Sequence, residues 1–190
     1  MNVLTIKNNC NNEIVIKKSK FITYLYKVNC IEEIKDILYE TKKEFKDATH
    51  ICYAYILDDI YKSNDDNEPS GTAGMPMLDT LLKNNLNKVL AITIRYFGGI
   101  KLGTGGLVRA YSKGAKECLK KTDIIEVIDN IKIIVTFDID KLKLANLLLK
   151  DCKIISQVFG DKITFEVLLS KKEKDKVIET LIQNDFKIEM

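Results

Sequence analysis

No apolar run in the chain is long enough to cross a bilayer: the longest, around Val89 to Ile94, is strand-length, far short of the roughly 20 residues required. The N-terminal MNVLTIKNNCNNEIVIKK lacks the apolar core and small-residue cleavage site of a secretory signal, so a cytoplasmic protein with no membrane partner is expected. Cys10, Cys30, Cys52, Cys118 and Cys152 are odd in number and contain no C-x-x-C pair. That argues against a disulfide framework and a cysteine zinc site, and buried free thiols are expected instead. Histidine occurs once, at His50, and neither internal repeats nor low-complexity segments are found. Charge of one sign is also scarce, since 30 Lys plus Arg against 27 Asp plus Glu leave only +3. Total charge therefore does not mark a nucleic-acid binder, and any basic signal must be local.

What is present is a globular composition, 46% apolar and 30% charged over 190 residues, enough for two small domains. EIVIKK and FITYLYKV alternate like strands around Lys18-Ser19-Lys20 and predict a hairpin. A helix follows through Ile31, Ile34, Leu38 and Phe45, with Asn29 and Glu32 as a variant capping box. Ile51 to Leu57 reads as a strand and Asp58 to Thr72 as a loop too long to be a mere turn. A helix opening near Pro76 shows Met77, Leu78, Leu81 and Leu82 on one face and closes at Asn84. Lys88 to Tyr96, almost continuously apolar, predicts a central strand buried on both faces. The glycine-rich turn 98–106 then leads into a helix from about Leu107 to Lys121.

The grammar changes after Asp123, and Asp129-Asn130 is the expected hinge between domains 1–128 and 129–190. The second domain reads as a strand over 131–139, a helix over 141–150 capped by Asp140, a hairpin of 153–159 and 163–169 turned at Gly160-Asp161, and a helix over 171–184 opened by a Ser170–Glu173 capping box. A short closing strand over 186–188 completes the βαββα(β) order of a ferredoxin-like domain. The fold class is thus α/β in the broad sense, of the α+β kind.

Charge is locally polarised. Residues 95–121 carry seven cations against Glu117, a net of +6, whereas residues 47–79 carry seven carboxylates against Lys62, a net of −6. On the helix, Arg109, Lys113, Lys116 and Lys120 follow the i, i+4, i+7, i+11 spacing of one face, opposite Leu107, Tyr111, Ala115 and Cys118. One reading of this stripe is an ordinary solvated face; the other is a surface for RNA phosphates, with Arg95, Lys101 and the amides of Gly98, Gly99, Gly105 and Gly106 assisting. The glycine run is neither a Walker A loop nor a G-x-G-x-x-G dinucleotide turn. For an enzyme, His50 is a candidate base, Glu68 and Ser70 are further catalytic candidates, and Asp65, Asp66 and Glu68 are candidate Mg²⁺ ligands. Ser70 lacks a G-x-S-x-G context. No cofactor is expected.

Three blocks resemble the signature of the YigZ/IMPACT family: Asp47-Ala48-Thr49-His50 through Tyr55, Glu68-Pro69-Ser70-Gly71-Thr72-Ala73-Gly74-Met75-Pro76, and Arg95-Tyr96-Phe97-Gly98-Gly99 through Tyr111. Where that family usually has Ser-Asp-Asp-Gly, this chain has Asn64-Asp65-Asp66-Asn67. The resemblance implies a ribosomal protein S5 domain 2-like first domain and a ferredoxin-like second one. It also implies a translation-associated role, because eukaryotic relatives compete for a ribosome-associated activator of an initiation-factor kinase. The expected partner is accordingly RNA, the ribosome or a ribosome-associated protein. An enzyme acting on a small molecule or phosphate ester, and a protein-interaction module reading through the EPSGTAG loop, stand as alternatives.

Overall fold

The computed structural model describes residues 4–127, 130–170 and 173–189, and the chain divides into two units, residues 1–127 and 128–190. Asp129, half of the expected hinge, lies outside the described residues.

Strands β1 (Leu4–Ile6), β2 (Cys10–Ile16) and β3 (Ser19–Lys27) open the first unit, followed by helix α1 (Ile31–Glu44), β4 (His50–Leu57), β5 (Ile60–Asn64), α2 (Gly74–Lys83), β6 (Val89–Tyr96), α3 (Thr104–Leu119) and β7 (Ile124–Glu126). The main sheet has the order β2-β3-β6-β4-β5 with every neighbour antiparallel, and β1 pairs separately with β7. As the apolar run predicts, β6 is central and buried on both faces. Leu90, Ile92 and Ile94 join Ile34 and Val28 in one cluster, while Val89 and Ala91 join Met77, Leu81, Tyr111 and Ala115 in the other. Burial of each such large apolar side chain stabilises the fold by about 1.5–3 kcal/mol. Period-two alternation also places Ser19, Phe21, Thr23, His50, Cys52, Thr93 and Arg95 on the one face under α2 and α3.

Several local expectations are corrected. The β2–β3 turn is Lys17-Lys18, not Lys18-Ser19-Lys20; both lysines hold positive φ, 46° and 64°, as a tight two-residue hairpin turn demands. At α1 the residue closing back is Glu33 rather than Glu32, its Oε2 accepting the Asn29 N–H at 2.8 Å. The segment 58–72 is not all loop, because β5 pairs with β4 and leaves Asp58-Asp59 as a hairpin turn. Leu82 is exposed on α2, since only Met77, Leu78 and Leu81 of its apolar residues fall toward the sheet. Helix α3 starts at Thr104, so Gly105 and Gly106 lie in its first turn and the connecting turn is shorter than the glycine run.

The second unit is β8 (Asn130–Phe137), a 3₁₀ turn at Ile139–Lys141, α4 (Leu142–Leu148), β9 (Lys153–Phe159), β10 (Ile163–Ser170), α5 (Lys174–Gln183) and β11 (Lys187–Glu189). Its antiparallel sheet, ordered β11-β8-β10-β9, gives the ferredoxin-like arrangement that the element order predicts. Asp140 lies inside the 3₁₀ turn instead of capping α4. Helix α5 begins after Glu173, whose N–H donates to the Ser170 carbonyl at 3.0 Å and whose side chain makes no cap bond.

Candidate functional site

The three signature blocks converge on one carboxylate. Glu68, in the loop before α2, is buried, and its Oε1 accepts hydrogen bonds from Arg95 Nη1 of β6 at 2.5 Å and from the Tyr111 hydroxyl of α3 at 2.8 Å. His50, the first residue of β4, places Nε2 3.9 Å from Glu68 Oε2. Its Nδ1 lies 2.8 Å from the Asp66 carbonyl, which can only accept, so Nδ1 carries the proton. Cys52 Sγ lies 3.0 Å from the Asp65 carbonyl and 3.4 Å from the Tyr111 oxygen, the two acceptors for its one S–H.

Arg95 is only 5% exposed, because strand alternation turns it toward α3 with Ala91 and Thr93. Its guanidinium lies over the rings of Phe21 and Phe97, and Nη2 reaches the Ser19 hydroxyl at 3.4 Å. Nε has no hydrogen-bond partner among the described residues. Two buried charges are tolerable only when each is matched and hydrogen-bonded, and here Glu68 and Arg95 match each other. This placement withdraws Arg95 from the solvent-facing anion surface expected of it. Arg95 is the partner of Glu68 in the acidic loop. Burial pushes both the Tyr111 phenol and the Cys52 thiol up, reinforced for each by the Glu68 charge, so neither ionises near neutrality.

The candidate metal ligands are committed elsewhere. Asp65 accepts the N–H groups of Gly71, Ala73 and Gly74 at 2.8 to 2.9 Å, satisfying amides at the start of α2 with a carboxylate far upstream in sequence. Asp66 Oδ2 accepts the Ile51 N–H at 2.6 Å, and Glu68 faces Arg95. Among the described residues, no group of His, Cys, Asp and Glu side chains converges as a metal site. The acidic block therefore folds its own loop. Ser70 stands exposed on that loop, and no hydrogen bond joins it to His50. Asn64 and Asn67 also have loop roles: Asn64 Oδ1 accepts the Asp66 N–H at 2.9 Å, and Asn67 holds φ 65°.

The glycines divide by role. A Cβ on Gly98 would collide with the Lys18 carbonyl, so only glycine lets this turn pass the β2–β3 hairpin. Gly99, at φ 81°, is exposed with Lys101, whereas Gly105 and Gly106 sit in the first turn of α3.

Along α3, Arg109, Lys113, Lys116 and Lys120 are all solvent-facing, with Lys113 and Lys116 the accessible pair at its middle. Lys120 pairs with Glu117 at 2.8 Å; the other three have no ion pair among the described residues. Near the start of the helix a depression of about 190 Å³ is lined by Ile16, Lys17, Leu102, Gly106, Arg109 and Lys113. Lys17 was not legible as part of this basic surface, because the hairpin partnership that carries it there is invisible to a helical-spacing argument.

Residues 17–119 match the Impact N-terminal domain. The chain belongs to the IMPACT family. It is 48% identical over 125 residues to the IMPACT family member YvyE of Bacillus subtilis, covering 64% of this chain and 58% of that protein. Identity is 37% over 164 residues with an IMPACT family member of Haemophilus influenzae, covering 83% and 80%. With YigZ of Escherichia coli it is 42% over 111 residues, covering 56% and 54%. The aligned stretch thus spans little more than half of YvyE and of YigZ. A crystal structure of a hypothetical protein superposes with a TM-score of 0.70 at 30% identity over 99% of this chain and 97% of that one. The IMPACT match contains every residue of the Glu68 cluster and the α3 stripe as far as Lys116. The family match lies within the first, mixed α/β unit, and the ferredoxin-like arrangement of the second rests on its own sheet order.

Proposed function

We propose that the protein is a cytoplasmic, translation-associated regulator and not an enzyme, and that its first unit contacts RNA phosphates on the ribosome through α3. The observation carrying this reading is the row Arg109, Lys113, Lys116 and Lys120 on the outer face of α3, with Lys17 and Lys101 as flanking cations. Family membership supports the translation association, because the resemblance brings eukaryotic relatives that act on translation.

In this reading the Glu68–Arg95–Tyr111 cluster is the scaffold. It ties the acidic loop, β6 and α3 together, fixing the helix from which the cations project. A protonated Tyr111 and a Glu68 ion-paired with Arg95 supply no activated nucleophile, and the Ser70 hydroxyl is not hydrogen-bonded to His50. An interaction module reading through the exposed Ser70-Gly71 corner is the second reading, favoured by the Asp65 bonds that hold that loop in one shape. Co-sedimentation with ribosomes over a salt series separates the two: phosphate contacts weaken steeply with salt and depend on the lysines, whereas a loop contact depends on residues 69–72.

A further inference from the structure

Cys10 begins β2 and Cys118 is the penultimate residue of α3, yet their sulfur atoms lie 3.3 Å apart across a sequence separation of 108 residues. Neighbouring bonds pin this corner: the Lys7 N–H donates to the Asp123 carbonyl at 2.8 Å, and Thr122 Oγ1 donates to the Asn8 carbonyl at 3.0 Å. The two thiols differ in access, Cys10 being half-buried and Cys118 fully buried. Cys10 Sγ also lies 3.3 Å from the Cys118 carbonyl, and Cys118 Sγ lies 3.6 Å from that of Thr23. No other pair of thiols within the first unit is in contact: Cys30 is exposed, and Cys52 lies against Asp65 and Tyr111.

We propose that Cys10 and Cys118 are a reversible oxidation site, in which hydrogen peroxide converts the dithiol to a disulfide that staples α3 to β2. The accessible Cys10 thiolate attacks the peroxide O–O bond, keeps one oxygen as a sulfenic acid and releases the other as hydroxide, which is protonated to water. Cys118 sulfur then attacks the Cys10 sulfur, so that the S–S bond forms, the S–O bond breaks and the departing oxygen leaves with the Cys118 proton as a second water. Two thiols are oxidised and one peroxide is reduced. The neighbouring Cys118 thiol, assisted by Lys121, holds the Cys10 thiol below its ordinary value against the opposing effect of burial, which favours the attacking form.

The test treats reduced full-length protein with stoichiometric hydrogen peroxide and follows free thiols, intact mass and the peptide map. Loss of two of the five thiols and of two hydrogens in mass, a linked peptide joining Cys10 to Cys118, and reversal by dithiothreitol are expected. Cys10→Ser should abolish the link, and Cys118→Ala should leave Cys10 as a sulfenic acid trapped by dimedone. A link through any other cysteine, or conversion of Cys10 to sulfinic acid without a linked peptide, overturns the proposal. Should Cys118→Ala not fold, the wild-type map together with Cys10→Ser decides.

Discussion

Glu68 reads as a catalytic candidate in sequence, and the fold buries it against Arg95 and Tyr111. Its block, EPSG, sits in an acidic stretch near the lone histidine, and nothing local announces that its partner is 27 positions away in β6. The clue was present in the alternation of β6, because Arg95 shares the parity of Ala91 and Thr93. Reading Arg95 with the downstream lysines as one basic segment obscured it. Removing the Glu68 charge leaves a buried guanidinium uncompensated, so Glu68→Gln should lower unfolding free energy by about 3–5 kcal/mol in denaturant titration. The double variant Glu68→Gln/Arg95→Met should lose less than the two single losses combined. Tyr111 and Cys52 are held protonated in the fold, whereas in the unfolded chain they titrate near 10.0 and 9.0. Their contribution is therefore fully present below pH ~9 and lost as pH rises, because the unfolded chain then binds fewer protons than the native one. Thermal melts above about pH 9 should show stability falling by up to about 1.4 kcal/mol per pH unit for each such group. Tyr111→Phe should flatten that fall.

Helix α3 carries both a packed apolar face and a row of solvent-facing cations. Its apolar face was legible from spacing alone, as was the double burial of β6, because both periodicities are local. The start of α3, strand β5 and the role of Asp65 were not. Glycines argue for a turn, so Gly105 and Gly106 hid the first helical turn; carboxylates argue for a solvated loop, which hid the pairing of Ile60–Asn64 with β4. Asp65 serves α2 from eight and nine positions before the amides of Ala73 and Gly74, far beyond the reach of a local capping pattern. The glycines of α3 give a paired prediction. At Gly105 a Cβ would meet only Arg109 Nη1 at 3.7 Å, so Gly105→Ala should raise stability by several tenths of a kcal/mol, up to about 1. At Gly114 it would lie 2.5 Å from the Thr23 hydroxyl, so Gly114→Ala should cost about 1–3 kcal/mol by overpacking α3 against β3. Chemical denaturation of the two variants beside the wild type checks both signs.

Across the whole molecule, the small net charge of +3 conceals a first unit with opposed regions and a second whose charges cancel, 11 Lys against 11 Asp plus Glu over residues 129–190. The ferredoxin-like unit was readable from its element order because each element is short, regular and separated by clear turns. Its sequence has no glycine-rich loop and its clustered rings, Phe137, Phe165 and Phe186, are buried, so an auxiliary or orienting role is what we propose for it. Removing it should leave most ribosome binding intact, and a segment 129–190 that binds as tightly as the full chain contradicts that assignment. The decisive measurement for RNA contact through α3 is ribosome co-sedimentation of the wild type and of Lys113→Gln/Lys116→Gln over a salt series. Four phosphate contacts, at roughly 0.7 to 0.9 each, predict a slope near three in log affinity against log salt; removing two should flatten it by about one and a half. Because both lysines lie on the solvent-facing side of the helix, the variant should melt like the wild type. An equally stable variant with unchanged affinity and unchanged slope would mean that the stripe is only a solvated helix face and would overturn the phosphate-contact reading.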